Sequence, residues 1–117
     1  MAVLAEVYGR AGDHAKAADA ADELARFGYE PAADAYTAAW VAIRCAGTAQ
    51  RDERLAEAER ERLAGSYADR AVGHLRAAVR HGFKDGARLR KDPAFEALHP
   101  RSDFRELLRD IDGVGRP

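Results

Sequence analysis

Apolar residues recur at a helical spacing along this chain, most clearly in YADRAVGHLRAAVRHGFKD at 67–85. The recurring residues lie on one face of an α-helix: Tyr67, Ala68, Ala71, Val72, Leu75, Ala78 and Val79. The opposite face carries Asp69, Arg70, His74, Arg76 and Arg80. Because the apolar stripe is mostly Ala and Val, it favours close approach by another helix. We interpret Gly73 as marking such a contact, since Gly inside a helix costs about 1 kcal/mol relative to Ala.

The same spacing predicts helices on either side of this segment. A first helix is predicted over 2–10, a second from an N-cap at Asp13 to about Arg26, and a third over 31–46. The third has almost no polar interruption and is expected to be the most buried. Gly28 is predicted to close the second helix in a left-handed conformation, and Pro31 to open the third.

The charged stretch at 47–66 is predicted to form a partly exposed helix after a short loop. The pair Ser66 and Asp69 resembles a capping box, which marks the start of a new helix. An uninterrupted helix from about residue 53 is the alternative.

Short helical pieces are predicted between Gly82, which closes the helix at 67, and the last helix. Each of Asp92-Pro93 and His99-Pro100 is expected to place an extended residue before its proline. The last helix is capped by Ser102 and has an apolar face: Phe104, Leu107, Leu108 and Ile111. No segment alternates like a strand, so the predicted class is all-α, built from successive antiparallel helices.

The first predicted hairpin, LAEVYGRAGDHAKAADAADELARFGYEP, is similar to a tetratricopeptide repeat. The residues that fall at the repeat's spacing are Leu4-Ala5, Tyr8, Gly12-Asp13 and Ala17. Three positions depart from the pattern: Ala21 replaces a large aromatic residue, Leu24 replaces a small one, and Pro31 comes about two residues late. A shift of 34 residues carries Leu4 to Ala38, Ala5 to Ala39 and Arg10 to Arg44, which supports a second repeat with 47–66 as an insertion.

The segment YADRAVGHLRAAVRHGFKDGARLRKDPAFEALHPRSDFRELL resembles the end of tetratricopeptide-like regions that follow the catalytic domain in many bacterial serine/threonine protein kinases. The shared pattern is YAxxAVxxLxxAV, then Gly-aromatic, Leu-x-x-Asp-Pro-x-Phe-x-x-Leu and Phe-x-x-Leu-Leu. Similar endings occur in other bacterial signalling proteins. The chain carries no kinase motif, and its start at Met1 within the repeat pattern suggests a fragment of a longer protein.

The resemblance implies an α-hairpin array of about two repeats in one domain over 1–112. Within it, 1–28 forms the first hairpin, 31–82 the second hairpin and 83–112 a capping segment that closes the stack. Residues 113–117 form a flexible tail.

Composition and charge argue against nucleic-acid binding, a membrane span and secretion. The net charge of −1 divides into −3 over residues 1–48 and +2 over 49–117, so no uniform positive field is available for nucleic acid. The longest apolar run, 38–43, is far shorter than the roughly 20 residues that span a bilayer. Residues 2–8 lack the basic leader of a signal peptide, and the single Cys45 forms no internal disulfide. These features favour a cytoplasmic protein.

Candidate chemistry is sparse. Metal binding needs three or four converging ligands, so the four histidines are interpreted as solvated groups near helix ends: His14, His74, His81 and His99. Cys45 is interpreted as a packed small residue. The carboxylate pairs are assigned to solvated helix faces: Glu57 with Glu61, and Asp110 with Asp112. No catalytic residue, metal or cofactor is predicted.

The resemblance implies a concave surface that holds a peptide. Its predicted residues are Glu6, Arg10, Tyr36, Thr37, Trp40 and Arg44, although Trp40 also fits a core position and Tyr36 fits either role. A second, basic patch for an acidic or phosphorylated peptide is predicted at Lys84, Arg88, Arg90 and Lys91. The predicted function is a non-catalytic protein-interaction region of a signalling protein, monomeric or weakly dimeric. The alternatives are a structural dimerisation unit and, third, a small helical enzyme.

Overall fold

The computed structural model describes residues 14–113. Over these residues the chain forms five α-helices, one 3₁₀ helix and no strand: α1 (His14–Phe27), α2 (Pro31–Gln50), α3 (Glu57–Arg80), α4 (Gly86–Lys91), the 3₁₀ helix (Pro93–Leu98) and α5 (Ser102–Gly113). The all-α class is confirmed for this part of the chain. The predicted helix over 2–10, the cap at Asp13 and residues 114–117 of the predicted tail lie outside the described residues.

Helix α2 occupies the centre of the fold and packs against both α1 and α3. It is the most buried helix, as its uninterrupted apolar run predicts, and Pro31 lies in its first turn. It continues four residues beyond the predicted end at Ala46, because Ala49 still points into the core, where it is fully buried. Helix α1 packs against α2 and buries Ala17, Ala21 and Leu24.

Helix α3 is one continuous helix from Glu57 to Arg80, so Ser66 does not begin a new one. The charged half holds together because Glu, Arg and Ala are strong helix formers and Glu57 and Glu59 lie in the positive first turn. The apolar stripe predicted for this helix is confirmed: Tyr67, Ala71, Val72, Leu75 and Ala78 are buried, and Ala68 and Val79 are half-buried.

Three glycines have roles that differ from one another. Gly82 has a φ of 106° and closes α3, with its N–H donating to Val79 O and the Phe83 N–H to Ala78 O. Gly28 does not have a positive φ; it is required because an added Cβ would meet Asp34 Oδ2 at 2.0 Å and Leu24 O at 2.7 Å. Gly73 is exposed and no atom lies within 4 Å of an added Cβ, so the predicted close helix contact is wrong.

The C-terminal segment folds as short helices against α2 and α3. Asp85 and Asp92 cap two of them, each accepting a backbone N–H in the first turn. Asp92 is extended before Pro93, as predicted, whereas His99 is helical before Pro100, because its N–H still donates to Glu96 O in a 3₁₀ turn. The segment buries a common set of large side chains: Leu89, Phe95, Leu98, Phe104, Leu107 and Ile111.

Arg101 links the C-terminal segment to α3 through an ion pair. Its guanidinium pairs with Asp69 on α3 at 2.5 Å and with Asp103 at 2.9 Å.

Within residues 14–113, no helix has both the length and the apolarity that crossing a bilayer requires.

Candidate interaction surface

The most accessible line along α2 carries three of the predicted peptide-binding residues. Thr37 and Trp40 are half-buried and Arg44 is exposed, at the i, i+3, i+7 spacing of one helix face. The Arg44 guanidinium lies over the Trp40 ring, 4.6 Å from its centroid. Trp40 therefore packs one part of its ring on the core and offers the rest, with Arg44, to the surface. We call these three residues the Trp40–Arg44 surface.

Arg44 retains its hydrogen-bonding capacity. Its guanidinium contacts the Trp40 ring, and no carboxylate within residues 14–113 forms an ion pair with it. A guanidinium above an aromatic face can still donate hydrogen bonds to another acceptor, because its N–H groups lie in the guanidinium plane and point away from its central carbon. Trp and Arg are also the residue types most enriched at binding hot spots.

Tyr36 does not belong to this surface. It is buried, its hydroxyl donates to Asp92 Oδ2 at 2.7 Å, and its ring stacks on Phe83 at 5.1 Å between centroids. Burial, followed by the hydrogen bond to Asp92, raises the pKa of the Tyr36 hydroxyl. Tyr36 thus joins α2 to the C-terminal segment, while the predicted groove residues Glu6 and Arg10 lie outside the described residues.

A polar cleft of about 310 Å³ lies at the C-terminal end of α2. It is lined by Thr48, Arg51, Asp52, Glu53 and Arg54, and Thr48 continues the line of the Trp40–Arg44 surface. The Arg54 Nε donates to Asp52 Oδ1 at 2.9 Å. The hydrogen bonds from Arg54 and then from His14 hold the pKa of Asp52 below its usual range.

Asp52 is also the outer end of a polar chain that enters the core. His14 Nε2 lies 3.1 Å from Asp52 Oδ2, and His14 Nδ1 lies 2.8 Å from the Tyr67 hydroxyl oxygen. An ionised Asp52 only accepts, so Nε2 donates to it, and a neutral ring then accepts the Tyr67 hydroxyl hydrogen at Nδ1. His14 is buried, so its interpretation as a solvated histidine is wrong. Its partners are 38 and 53 residues away along the chain, and no local pattern indicates them.

His74 is half-buried and also contacts a residue of another helix. Its Nε2 lies 3.0 Å from Asp22 Oδ1 on α1, and Arg70 also binds Asp22. Burial lowers the pKa of His74, against the opposing effect of Asp22. Arg70 and His74, predicted on the solvent face of α3, instead bridge this helix to α1. The histidines His81 and His99 are exposed.

The predicted basic patch is divided by its own contacts. Arg88 lies over the Tyr36 ring at 4.3 Å, and Arg90 pairs with Asp112 at 2.5 Å. Lys84 and Lys91 are exposed at either end. Two of the four cations are therefore already engaged by groups of the fold.

The remaining candidate groups have structural environments. Cys45 is buried, and burial raises the pKa of its thiol to about 11 against the opposing effect of Arg70 and Arg44. Glu57 and Glu61 are exposed. Over residues 14–113, no three His, Cys, Asp or Glu side chains gather as a metal site.

Comparison of the chain with models of protein families, with curated proteins and with solved structures finds no match. The likeness to tetratricopeptide-like kinase regions rests on the sequence pattern.

Proposed function

We propose that this chain is a non-catalytic protein-interaction module, the tetratricopeptide-like accessory region of a bacterial signalling protein. The observation that carries the proposal is the Trp40–Arg44 surface, an aromatic ring and a guanidinium that pairs with no carboxylate of residues 14–113, on the accessible line of the central helix. The helix below it is buried against α1 and α3 and provides a rigid support. A segment of another protein would place apolar atoms on the ring and an acceptor on the guanidinium.

The buried polar groups support a binding role over catalysis. Tyr67, His14 and Asp52 satisfy one another, and Asp22 receives both His74 and Arg70. Asp52 lines the cleft at the end of α2, but its two carboxylate oxygens already accept hydrogen bonds from Arg54 and His14. The raised pKa keeps the Cys45 thiol protonated near neutral pH, and the thiolate is the nucleophilic form.

Affinity capture with matched charge reversals tests the proposal. Arg44→Glu removes the donor on the surface, whereas Arg76→Glu makes the same change at an exposed site on α3. We expect Arg44→Glu to reduce capture of a specific partner at least about tenfold and Arg76→Glu to leave it unchanged. Trp40 is the one tryptophan in the chain, so a purified partner should also shift its fluorescence. Equal capture by the two variants contradicts the assignment.

A dimerisation unit is the second candidate. The large hydrophobic side chains exposed within residues 14–113 are Phe27 and Tyr29, at the turn between α1 and α2 and not on the face of α2. Light scattering at several concentrations separates this candidate from a monomeric binder.

A further inference from the structure

The turn between α1 and α2 forms a cleft of about 440 Å³ whose chemistry is apolar and acidic. Its apolar part consists of Leu24, Phe27 and Tyr29, and its rim carries Glu23, Glu30 and Asp34. We call it the aromatic–acidic cleft. Phe27 is 73% exposed and Tyr29 102% exposed, whereas the other large hydrophobic side chains within residues 14–113 are at least half-buried. Exposed aromatic area collected at one place is typical of an interaction site.

The walls of this cleft are fixed by the fold. Gly28 N–H donates to Leu24 O at 2.9 Å and Glu30 N–H donates to Asp34 Oδ2 at 3.0 Å. Asp34 fills the space where a side chain at Gly28 would stand. These contacts fix the backbone of the turn, from which Phe27 and Tyr29 project on either side of Gly28.

The charge of the cleft selects its ligand. In the part of the chain that the structure describes, the lining of the cleft includes three carboxylates and neither Lys nor Arg, and the Arg26 guanidinium lies 5.7 Å from the Phe27 ring centroid. No Lys or Arg within residues 14–113 pairs with Glu23, Glu30 or Asp34. Uncompensated carboxylates beside aromatic faces attract a cation with an apolar stem. Lys and Arg side chains have this composition, since their methylene groups pack on apolar surface while the charged end stays at the rim.

We propose that the aromatic–acidic cleft binds a basic side chain of a partner protein, a Lys or Arg flanked by apolar residues. The inference rests on the proposed function, because it names the chemistry of the partner segment. The stem of the basic residue lies along Tyr29, its charge meets Glu23 and Glu30, and a neighbouring apolar residue covers Leu24 and Phe27.

Peptide titration of the full-length chain, followed by NMR at the amide of Gly28 and the ring of Tyr29, tests this inference. The probes are acetyl-Ala-Leu-Lys-Leu-Ala-amide and two matched peptides with norleucine or Glu in place of Lys. We expect saturable shifts with the Lys peptide, affinity at least about threefold weaker with norleucine, and no binding of the Glu peptide. Raising the salt from about 0.05 to about 0.5 M should weaken only the Lys peptide.

Variants assign the effect to the cleft. Glu23→Gln with Glu30→Gln should weaken the Lys peptide by at least about threefold, and Tyr29→Ser by a similar factor. Glu106→Gln, an exposed change on α5, should have no effect. These residues are exposed, so the fold should tolerate their substitution.

Four outcomes overturn the inference. They are equal binding of the Lys and Glu peptides, absence of shifts at residues 27–34, self-association that displaces the peptide, and binding seen only after residues 1–12 are removed. If partner capture still depends on Arg44 in any of these cases, the proposed function stands without the cleft.

Discussion

The chain of hydrogen bonds from Asp52 through His14 to Tyr67 shows how single residues join distant parts of this fold. His14 and Tyr67 are both buried. Burying a polar group destabilises a protein unless its hydrogen bonds are made. Helix α1 supplies His14, the loop after α2 supplies Asp52, and α3 supplies Tyr67. These hydrogen bonds form only when the three parts of the fold are packed together.

Asp52 gives this chain a dependence on pH. Its pKa lies below the ordinary value in the folded protein, so the unfolded state binds a proton first as the pH falls. The stabilisation is complete above the unfolded pKa of about 4 and is lost as the pH falls below it. We expect Asp52→Asn to flatten the fall in Tm between about pH 5 and pH 2, whereas Glu53→Gln, at its exposed neighbour, should not. Parallel curves for Asp52→Asn and the wild type would contradict this role.

Local sequence does not reveal such contacts. Periodicity predicts which side of a helix is buried, because that depends on neighbours three or four residues away. It predicts the stripe around Tyr67 but not the hydrogen bond to His14, which depends on how α1 packs beside α3. The helical pattern likewise predicts Arg70 and His74 on the solvent face of α3, whereas both contact Asp22 on α1. The Trp40–Arg44 surface was accessible to prediction because both residues lie on one helix.

Gly73 and Gly28 differ in whether the fold leaves room for a side chain, which the sequence does not reveal. Gly73 lies in an exposed helix interior with open space around it, while Gly28 lies where another atom already occupies the Cβ position. We expect Gly73→Ala to stabilise the protein by about 0.5–1 kcal/mol, because Ala loses less backbone entropy in a helix. Gly28→Ala should destabilise it, since the new Cβ would meet Asp34 and the Leu24 carbonyl. Thermal unfolding measures both, and equal shifts of Tm would contradict this distinction.

Helix boundaries follow the balance between propensity and burial. Ser66 and Asp69 match a capping pattern, yet Ala64 and Tyr67 on either side of Ser66 are buried on one face of α3. A break would disrupt this face, and the strong helix formers before it give no reason for one. Gly47 likewise does not end α2, because Ala49 beyond it is buried. A local stop signal predicts a helix end only where the apolar face ends too.

The whole molecule depends on the C-terminal segment for part of its core. Phe104 and Phe95 are fully buried, and Tyr36 on α2 contacts both Phe95 and Asp92. Arg101 adds an ion pair to Asp69 on α3. The side chains of the C-terminal segment therefore pack in the same core as those of the central helices. We infer that the described helices unfold together.

Phe104→Ala tests whether α5 and the central helix α2 unfold together. Removing a buried Phe side chain costs about 3–5 kcal/mol, a large share of the 5–15 kcal/mol typical of a domain. Trp40 fluorescence reports on α2 and circular dichroism on all helices, so a single cooperative unit should show the same lowered denaturation midpoint by both. Glu106→Ala, at an exposed position on the same helix, is the control and should leave the midpoint unchanged. If the Trp40 transition stays at its wild-type midpoint while the helical signal shifts, α5 unfolds separately and does not stabilise the core around α2.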